Sequence, residues 1–270
     1  MTAPARPQPA VKDRKTVGLV GFGALARGLA ASFGADEIDW IALLREGSQT
    51  PLPDHVRRAE NLDGLIAARP VAVVEAAGQA AAAAIAPALL DTGIPVVLAS
   101  VGALADGDLR ERLARARERT GASLVLPSGA VGGLDYLRTI AGLADARVRY
   151  TSRKPVAAWA AELDARGWVP EHGETVLFEG TAEEAARRYP QNLNVALTIA
   201  LAVSPAPLTV RVVADPSASG NIHEIEAESA AGTASMHFAN APSPDNPKTS
   251  AVTALSLAAS LRGLLENGRR

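Results

Sequence analysis

Apolar residues form short continuous runs in the first half of the chain and alternate with polar ones in the second. Runs at 16–20 (TVGLV), 38–44 (IDWIALL), 71–75 (VAVVE), 95–99 (PVVLA) and 123–126 predict five strands. Residues 24–33, 79–90 and 109–118 carry helical spacing between them, the second helix stopping near Gly93. Unbroken apolar strands separated by helices predict a parallel sheet covered on both faces, and right-handed crossovers make it an α/β, doubly wound domain. After about residue 128 the pattern changes. Segments 147–151 (RVRYT), 175–179, 208–214, 221–229 and 233–239 read as strands, several of them alternating, as in a mostly antiparallel sheet with one wet face. Helices are expected at 181–189 and 194–203. A last helix near 250–265 repeats Leu255, Leu257, Leu261, Leu264 and Leu265 along one side. The expected organisation is a tail at 1–14, a first domain at 15–127, a second, α+β domain at 128–245, and a C-terminal helical segment at 246–270 that returns to the first domain.

The chain has 270 residues, 48% apolar and 21% charged, which is enough to build a core without covalent staples. The absence of cysteine excludes disulfides, thiolate metal sites and a cysteine nucleophile. His55, His172, His223 and His237 are scattered without metal-ligand spacing, so no metal site is expected. A net charge of −2 and 4% aromatics argue against nucleic-acid and membrane-surface partners. The longest apolar candidate, 80–90, is too short to span a bilayer and holds Pro87. The first fourteen residues carry Pro4, Pro7 and Pro9 and no apolar h-region, so they read as a disordered tail and the expected location is cytoplasmic.

The first turn carries chemistry. Gly21-Phe22-Gly23-Ala24-Leu25-Ala26 fits G-x-G-x-x-G/A, follows a strand and opens a helix, which is the context of a Rossmann dinucleotide site. Gly21 permits the turn, Gly23 lets a pyrophosphate approach the backbone, and Ala26 lets the helix sit close to the sheet. The helix N-terminus supplies amide donors to the phosphates. After the second strand, Arg45 suits the 2′-phosphate of NADP and Glu46 the ribose hydroxyl of NAD, so both cofactors stay open. The next two strands end in small residues, Ala76-Ala77-Gly78 and Ser100-Val101-Gly102, leaving room for a ribose and a nicotinamide.

In the second half, polar residues crowd into loops 127–133, 190–194 and 244–250. Part of each is helix-capping chemistry, but capping does not explain the Gly132-Gly133 pair. His223 lies two residues into a strand with Asn221 on the same face. A histidine with a near-neutral pKa suits proton transfer, yet His237 stands in a similar strand and nothing local separates the two.

Several motifs together are more specific than the glycine turn. They are Gly21-Phe-Gly-Ala, Val74-Glu-Ala-Ala, Ser128-Gly-Ala-Val-Gly-Gly-Leu-Asp135, Thr151-Ser-Arg-Lys-Pro155 and Phe178-Glu-Gly-Thr-Ala182. Tyr189-Pro-Gln-Asn-Leu-Asn-Val-Ala196, Asn221-Ile-His223 and Asn246-Pro-Lys-Thr-Ser250 complete the set. In this order the chain resembles the L-aspartate dehydrogenase family from residue 16 to the C-terminal helix. One departure is Gln191, where the family commonly carries Lys. The resemblance implies an NAD(P)-binding Rossmann domain, a mixed α/β catalytic domain and a homodimer or other homo-oligomer. It implies oxidation of L-aspartate through iminoaspartate to oxaloacetate and ammonia, or the reverse amination, with a possible place in NAD biosynthesis. The family's catalytic histidine falls on His223, and its cofactor contacts fall on Ala130 and Asn194. An aspartate pocket needs cations and amide donors for two carboxylates, and Arg153, Lys154, Lys248, Asn194 and Asn221 are the candidates. A related oxidoreductase on another small amino or oxo acid, and a non-catalytic dinucleotide sensor, are the alternatives.

Overall fold

The computed structural model describes residues 14–165, 167, 173–189 and 194–267. The first fold unit runs β1 (Lys15–Val20), α1 (Ala24–Ala31), β2 (Ile38–Leu43), β3 (Val56–Ala59), α2 (Leu62–Ala67), β4 (Ala72–Glu75), α3 (Gln79–Asp91), β5 (Val96–Leu98), α4 (Gly107–Thr120) and β6 (Leu124–Val125). All pairings are parallel in the order β3-β2-β1-β4-β5-β6, a doubly wound sheet whose order reverses beside β1. The sheet has six strands rather than the five that apolar runs announce. The additional β3 is an edge strand reading VRRA, whose Arg57 and Arg58 are exposed. Charge on an edge strand discourages pairing with other chains and also hides the strand from an apolar pattern.

The helices are built by local chemistry. Asn61 Oδ1 accepts the Gly64 N–H at 2.8 Å to start α2, and Asp106 does the same for α4, which ends on left-handed Gly121. Pro87 stands inside α3 and cannot donate to the Ala83 carbonyl; Arg112 of α4 donates to that oxygen instead, at 3.4 Å.

The second unit runs α5 (Leu134–Ile140), β7 (Arg147–Lys154), α6 (Ala160–Asp164), β8 (Thr175–Gly180), α7 (Ala182–Arg188), α8 (Asn194–Val203), β9 (Leu208–Ala214), β10 (Asn221–Ser229) and β11 (Gly232–Asn240). Its sheet has the order β11-β10-β7-β9-β8, antiparallel except where β7 meets β9. A reciprocal capping box, Thr181 with Glu184, opens α7. A hairpin of β12 (Pro242–Ser243) and β13 (Asn246–Ser250) follows, and then α9 (Val252–Asn267).

Helix α9 returns to the first unit and packs on α1, β4 and β5. Leu257, Ala258 and Leu261 are buried there with Val17, Leu19, Leu29 and Trp40. Gly28 of α1 allows the approach, because a Cβ would lie 2.9 Å from Ala254. Leu255, expected on the apolar side, is 59% exposed; the buried side runs through 257, 258 and 261, and 255 falls off it. The opposite face of the first sheet belongs to a second apolar cluster that continues through α3 and α4 into the inner face of the second sheet.

Candidate functional site

Two adjoining cavities lie at the carboxyl ends of the first sheet's strands, where the two units meet. The first, about 620 Å³, opens along the start of α1 and is lined by Gly23, Ala24, Leu25 and Ala76, with the β12–β13 hairpin and Leu255 across from them. A Cβ on Gly23 would meet nothing within 4 Å, so the backbone faces open space. No side chain caps α1, whose first turn carries no acid. Gly21 adopts φ +85° and donates to Leu43 O at 2.8 Å; a Cβ there would stand 2.8 Å from Ala77. These features fit a dinucleotide pyrophosphate, since the amides are uncapped and the space is clear.

Glu75 shapes the same end of the sheet. It is buried at the end of β4, and its carboxylate accepts from the amides of Ala77 (2.8 Å), Gly78 (2.9 Å) and Ser100 (3.0 Å) and from the Ser100 hydroxyl (2.9 Å). The turns after β4 and β5 are thereby tied together. Ser100 is turned toward this carboxylate, and Ala77 toward Gly21. The Phe22 ring is buried among Val17, Leu19 and Ala26. Of the expected cofactor residues these three thus hold the turns, while Arg45 and Glu46 stand exposed just after β2.

The second cavity, about 170 Å³, contains Leu25, Val101, Ala130, Lys154, Asn194, Asn221 and His223. Strand alternation brings them together. Tyr150, Ser152 and Lys154 of β7 share one face with Asn221 and His223 of β10, because Ser152 pairs with His223. Arg153 is a correction: the same alternation puts it on the opposite face. There it pairs with Glu174, with Asp215 at 3.0 Å and with Glu224 at 3.1 Å. His237 lies on that outer face too, 3.6 Å from Glu224, which separates it from His223. The side chain of Lys248 and the whole of 190–193, including Gln191, lie outside the described residues, as does the tail 1–13.

His223 is buried. Its Nδ1 lies 2.8 Å from the Tyr150 hydroxyl, and the two rings are nearly parallel at 6.0 Å. Burial, and then the Lys154 charge, push its pKa down to about 4, so the imidazole is neutral at physiological pH. Lys154 is itself buried, with its ammonium 5.3 Å from the centre of the Trp159 ring.

Bonds between the units frame the cavity. Asn194 Oδ1 accepts the Gly102 N–H at 2.8 Å, and a side chain on Gly102 would collide with Gln79 and Asn194. Ser256 of α9 accepts the Gly129 N–H at 2.9 Å, and Asn240 donates to Ala130 O at 2.7 Å. Gly133 adopts φ +71° and a Cβ there would collide with the Met236 thioether, whereas a Cβ on Gly132 would only touch the Phe238 ring, at 3.4 Å. Ser256 and Asn240 carried no local signal in the sequence; only tertiary pairing reveals them. Glu75 stood inside a recognised motif without a role, and Tyr150 looked like one more alternating strand residue.

Comparison with known proteins bears on this geometry. The model for "Aspartate dehydrogenase, C-terminal" matches residues 135–264, and that for "Homoserine dehydrogenase, NAD binding domain" matches 21–127. The chain is 46% identical to L-aspartate dehydrogenase 2 of Bordetella pertussis over 254 residues, covering 91% of this chain and 95% of that one. It is 38% identical to L-aspartate dehydrogenase of Ruegeria pomeroyi, covering 93% and 92%. The crystal structure of aspartate dehydrogenase from Thermotoga maritima superposes with a TM-score of 0.73 at 27% identity, covering 95% of this chain and 97% of that one.

Proposed function

The chain belongs to the L-aspartate dehydrogenase family, and from that membership and the cavity geometry we propose that it oxidises L-aspartate with NAD or NADP, using His223 as general acid and base. One observation carries the reading: a neutral, buried histidine and a buried lysine share a small cavity that adjoins the glycine turn. The volume suits a four-carbon acid, well below the about 300–1,000 Å³ of drug-sized sites.

When bound, the nicotinamide dinucleotide supplies the hydride acceptor. His223 takes a proton from the substrate ammonium; its neutral state leaves a lone pair ready for this. The neutral amine releases hydride from Cα, leaving iminoaspartate. Once His223 has passed that proton to solvent, it can accept a second one from the water that adds to iminoaspartate, and returning it to the nitrogen of the adduct would release ammonia and leave oxaloacetate. Lys154 holds a substrate carboxylate, and Asn221 and Asn194 offer amide groups at the cavity wall. Arg45 and Glu46 are both exposed after β2, Arg45 as the candidate to read a 2′-phosphate of NADP and Glu46 as the candidate for the ribose hydroxyl of NAD.

The test is His223→Ala. Cofactor affinity should stay within a few-fold while kcat falls about 10²–10⁴-fold, the range for an acid–base group. A kcat near that of the wild type would remove His223 from this role.

A further inference from the structure

We propose that Tyr150, with Ser152 beside it, is a positioning residue that holds the proton of neutral His223 on Nδ1 and so presents Nε2 to the cavity as the base. The inference rests on the reading of His223 as the proton acceptor. A base must offer a lone pair to the substrate. Nδ1 is engaged by the Tyr150 hydroxyl at 2.8 Å, so Nε2 is the nitrogen left for the cavity that His223 lines. Nε2 can accept only when the ring proton sits on Nδ1, and Nδ1–H then donates to Tyr150 Oη. An isolated imidazole has no such constraint, so a partner at Nδ1 decides which nitrogen works.

Tyr150 suits the task because it cannot easily change state. It is fully buried, and burial raises its phenol pKa well above the ordinary value, so the hydroxyl keeps its proton. Once Oη accepts from His223, its own O–H needs an acceptor. Ser152 stands two residues along the same strand, on the same face, directly opposite His223. Its Oγ is buried and makes no hydrogen bond of standard geometry, yet it lies close enough to the Tyr150 hydroxyl to favour ionisation of that phenol. In the proposed chain His223 Nδ1–H donates to Tyr150 Oη and Tyr150 O–H donates to Ser152 Oγ.

The substrate ammonium gives one proton to Nε2. Nδ1 keeps its own and now donates from an imidazolium, and Tyr150 and Ser152 stay neutral. A charge-assisted bond to Oη is stronger than the neutral one, so Tyr150 also steadies the charged ring. Among the described residues lining this cavity, Lys154 is the other titratable group. The cavity residues from α8, β10 and α9 (Asn194, Thr198, Asn221, Thr253) are uncharged, as is Phe238 of β11, which pairs with His223 in register.

The experiment is Tyr150→Phe, which removes one oxygen, with Ser152→Ala and His223→Ala alongside. Two readouts decide. In the NMR spectrum of the wild-type protein with ¹⁵N-labelled histidine, the His223 signals, identified by their loss in His223→Ala, should report a proton on Nδ1; in Tyr150→Phe they should move toward Nε2–H. In kinetics, Tyr150→Phe should lower kcat about 10- to 100-fold, taking as a guide the loss seen when a partner orienting a metal-bound histidine is removed, and shift the acid limb of kcat/KM to lower pH. KM for L-aspartate and cofactor affinity should stay within a few-fold, and Ser152→Ala should give a smaller loss of the same kind. A wild-type His223 protonated on Nε2, or a Tyr150→Phe enzyme with unchanged kcat and pH profile, overturns the proposal. If Tyr150→Phe fails to fold, the wild-type spectrum alone decides. Full turnover by His223→Ala would instead overturn the role of His223, which keeps the two failures apart.

Discussion

His223 enters the protein interior uncharged, because burial and the nearby Lys154 take its pKa from 6.5 down to about 4. This has a consequence for stability as well as for catalysis. Between about pH 6.5 and 4 the unfolded chain binds a proton at this histidine and the native chain does not. Stability from this group is therefore full above 6.5 and lost as pH falls toward 4. The shift corresponds to a loss on the order of 3 kcal/mol across that window. Denaturant unfolding of the wild type and of His223→Asn, from neutral pH to about pH 4, checks it. The wild-type curve should fall more steeply by that amount, and parallel curves would contradict the assigned environment. Glu75 is a further buried ionisable group. It is held by four hydrogen bonds, and a shorter or apolar side chain would leave turns 76–78 and 99–100 without their common acceptor.

At the scale of elements, α9 depends on a narrow apolar stripe. Leu261 is fully buried against the α1 face of the first sheet. Leu261→Ala should cost about 2–5 kcal/mol, measured as a lower denaturant midpoint with unchanged slope, whereas a loss under about 1 kcal/mol would mean that the helix is loosely docked. The same stripe shows what a reader of the sequence can and cannot see. Continuous apolar runs made β1, β2, β4 and β5 legible, since a strand buried on both faces must be apolar throughout. β3 and α2 left little signal: one is a four-residue edge strand with two arginines, the other a six-residue helix containing Gly64. Leu255 looked like a member of the α9 stripe because spacing alone does not reveal which of several leucines a neighbour covers. At the site, alternation correctly grouped Asn221 with His223. It needed the register of β7 against β10 to admit Lys154 and to send Arg153 to the outer face.

For the whole molecule, the site exists only where the two units meet. The first provides the glycine turn and the small residues after its strands, and the second provides His223, Lys154 and Asn221. Bonds at the junction include Gly102 to Asn194, Gly129 to Ser256 and Asn240 to Ala130, with the Ser128 and Ser256 hydroxyls 3.0 Å apart beside them. Through them α8, α9 and β11 all grip turns that line the cavity, so the glycine turn and His223 keep a common frame. Among the described residues no helix is long and apolar enough to cross a membrane. The central claim is that this frame oxidises L-aspartate. The direct measurement is the appearance of reduced nicotinamide absorbance when the purified protein meets L-aspartate with NAD⁺ or NADP⁺ in parallel, followed by the reverse reaction from oxaloacetate, ammonia and reduced cofactor. Saturable turnover with L-aspartate, lost in His223→Ala, is the predicted result. Cofactor binding without turnover of L-aspartate in either direction would contradict it.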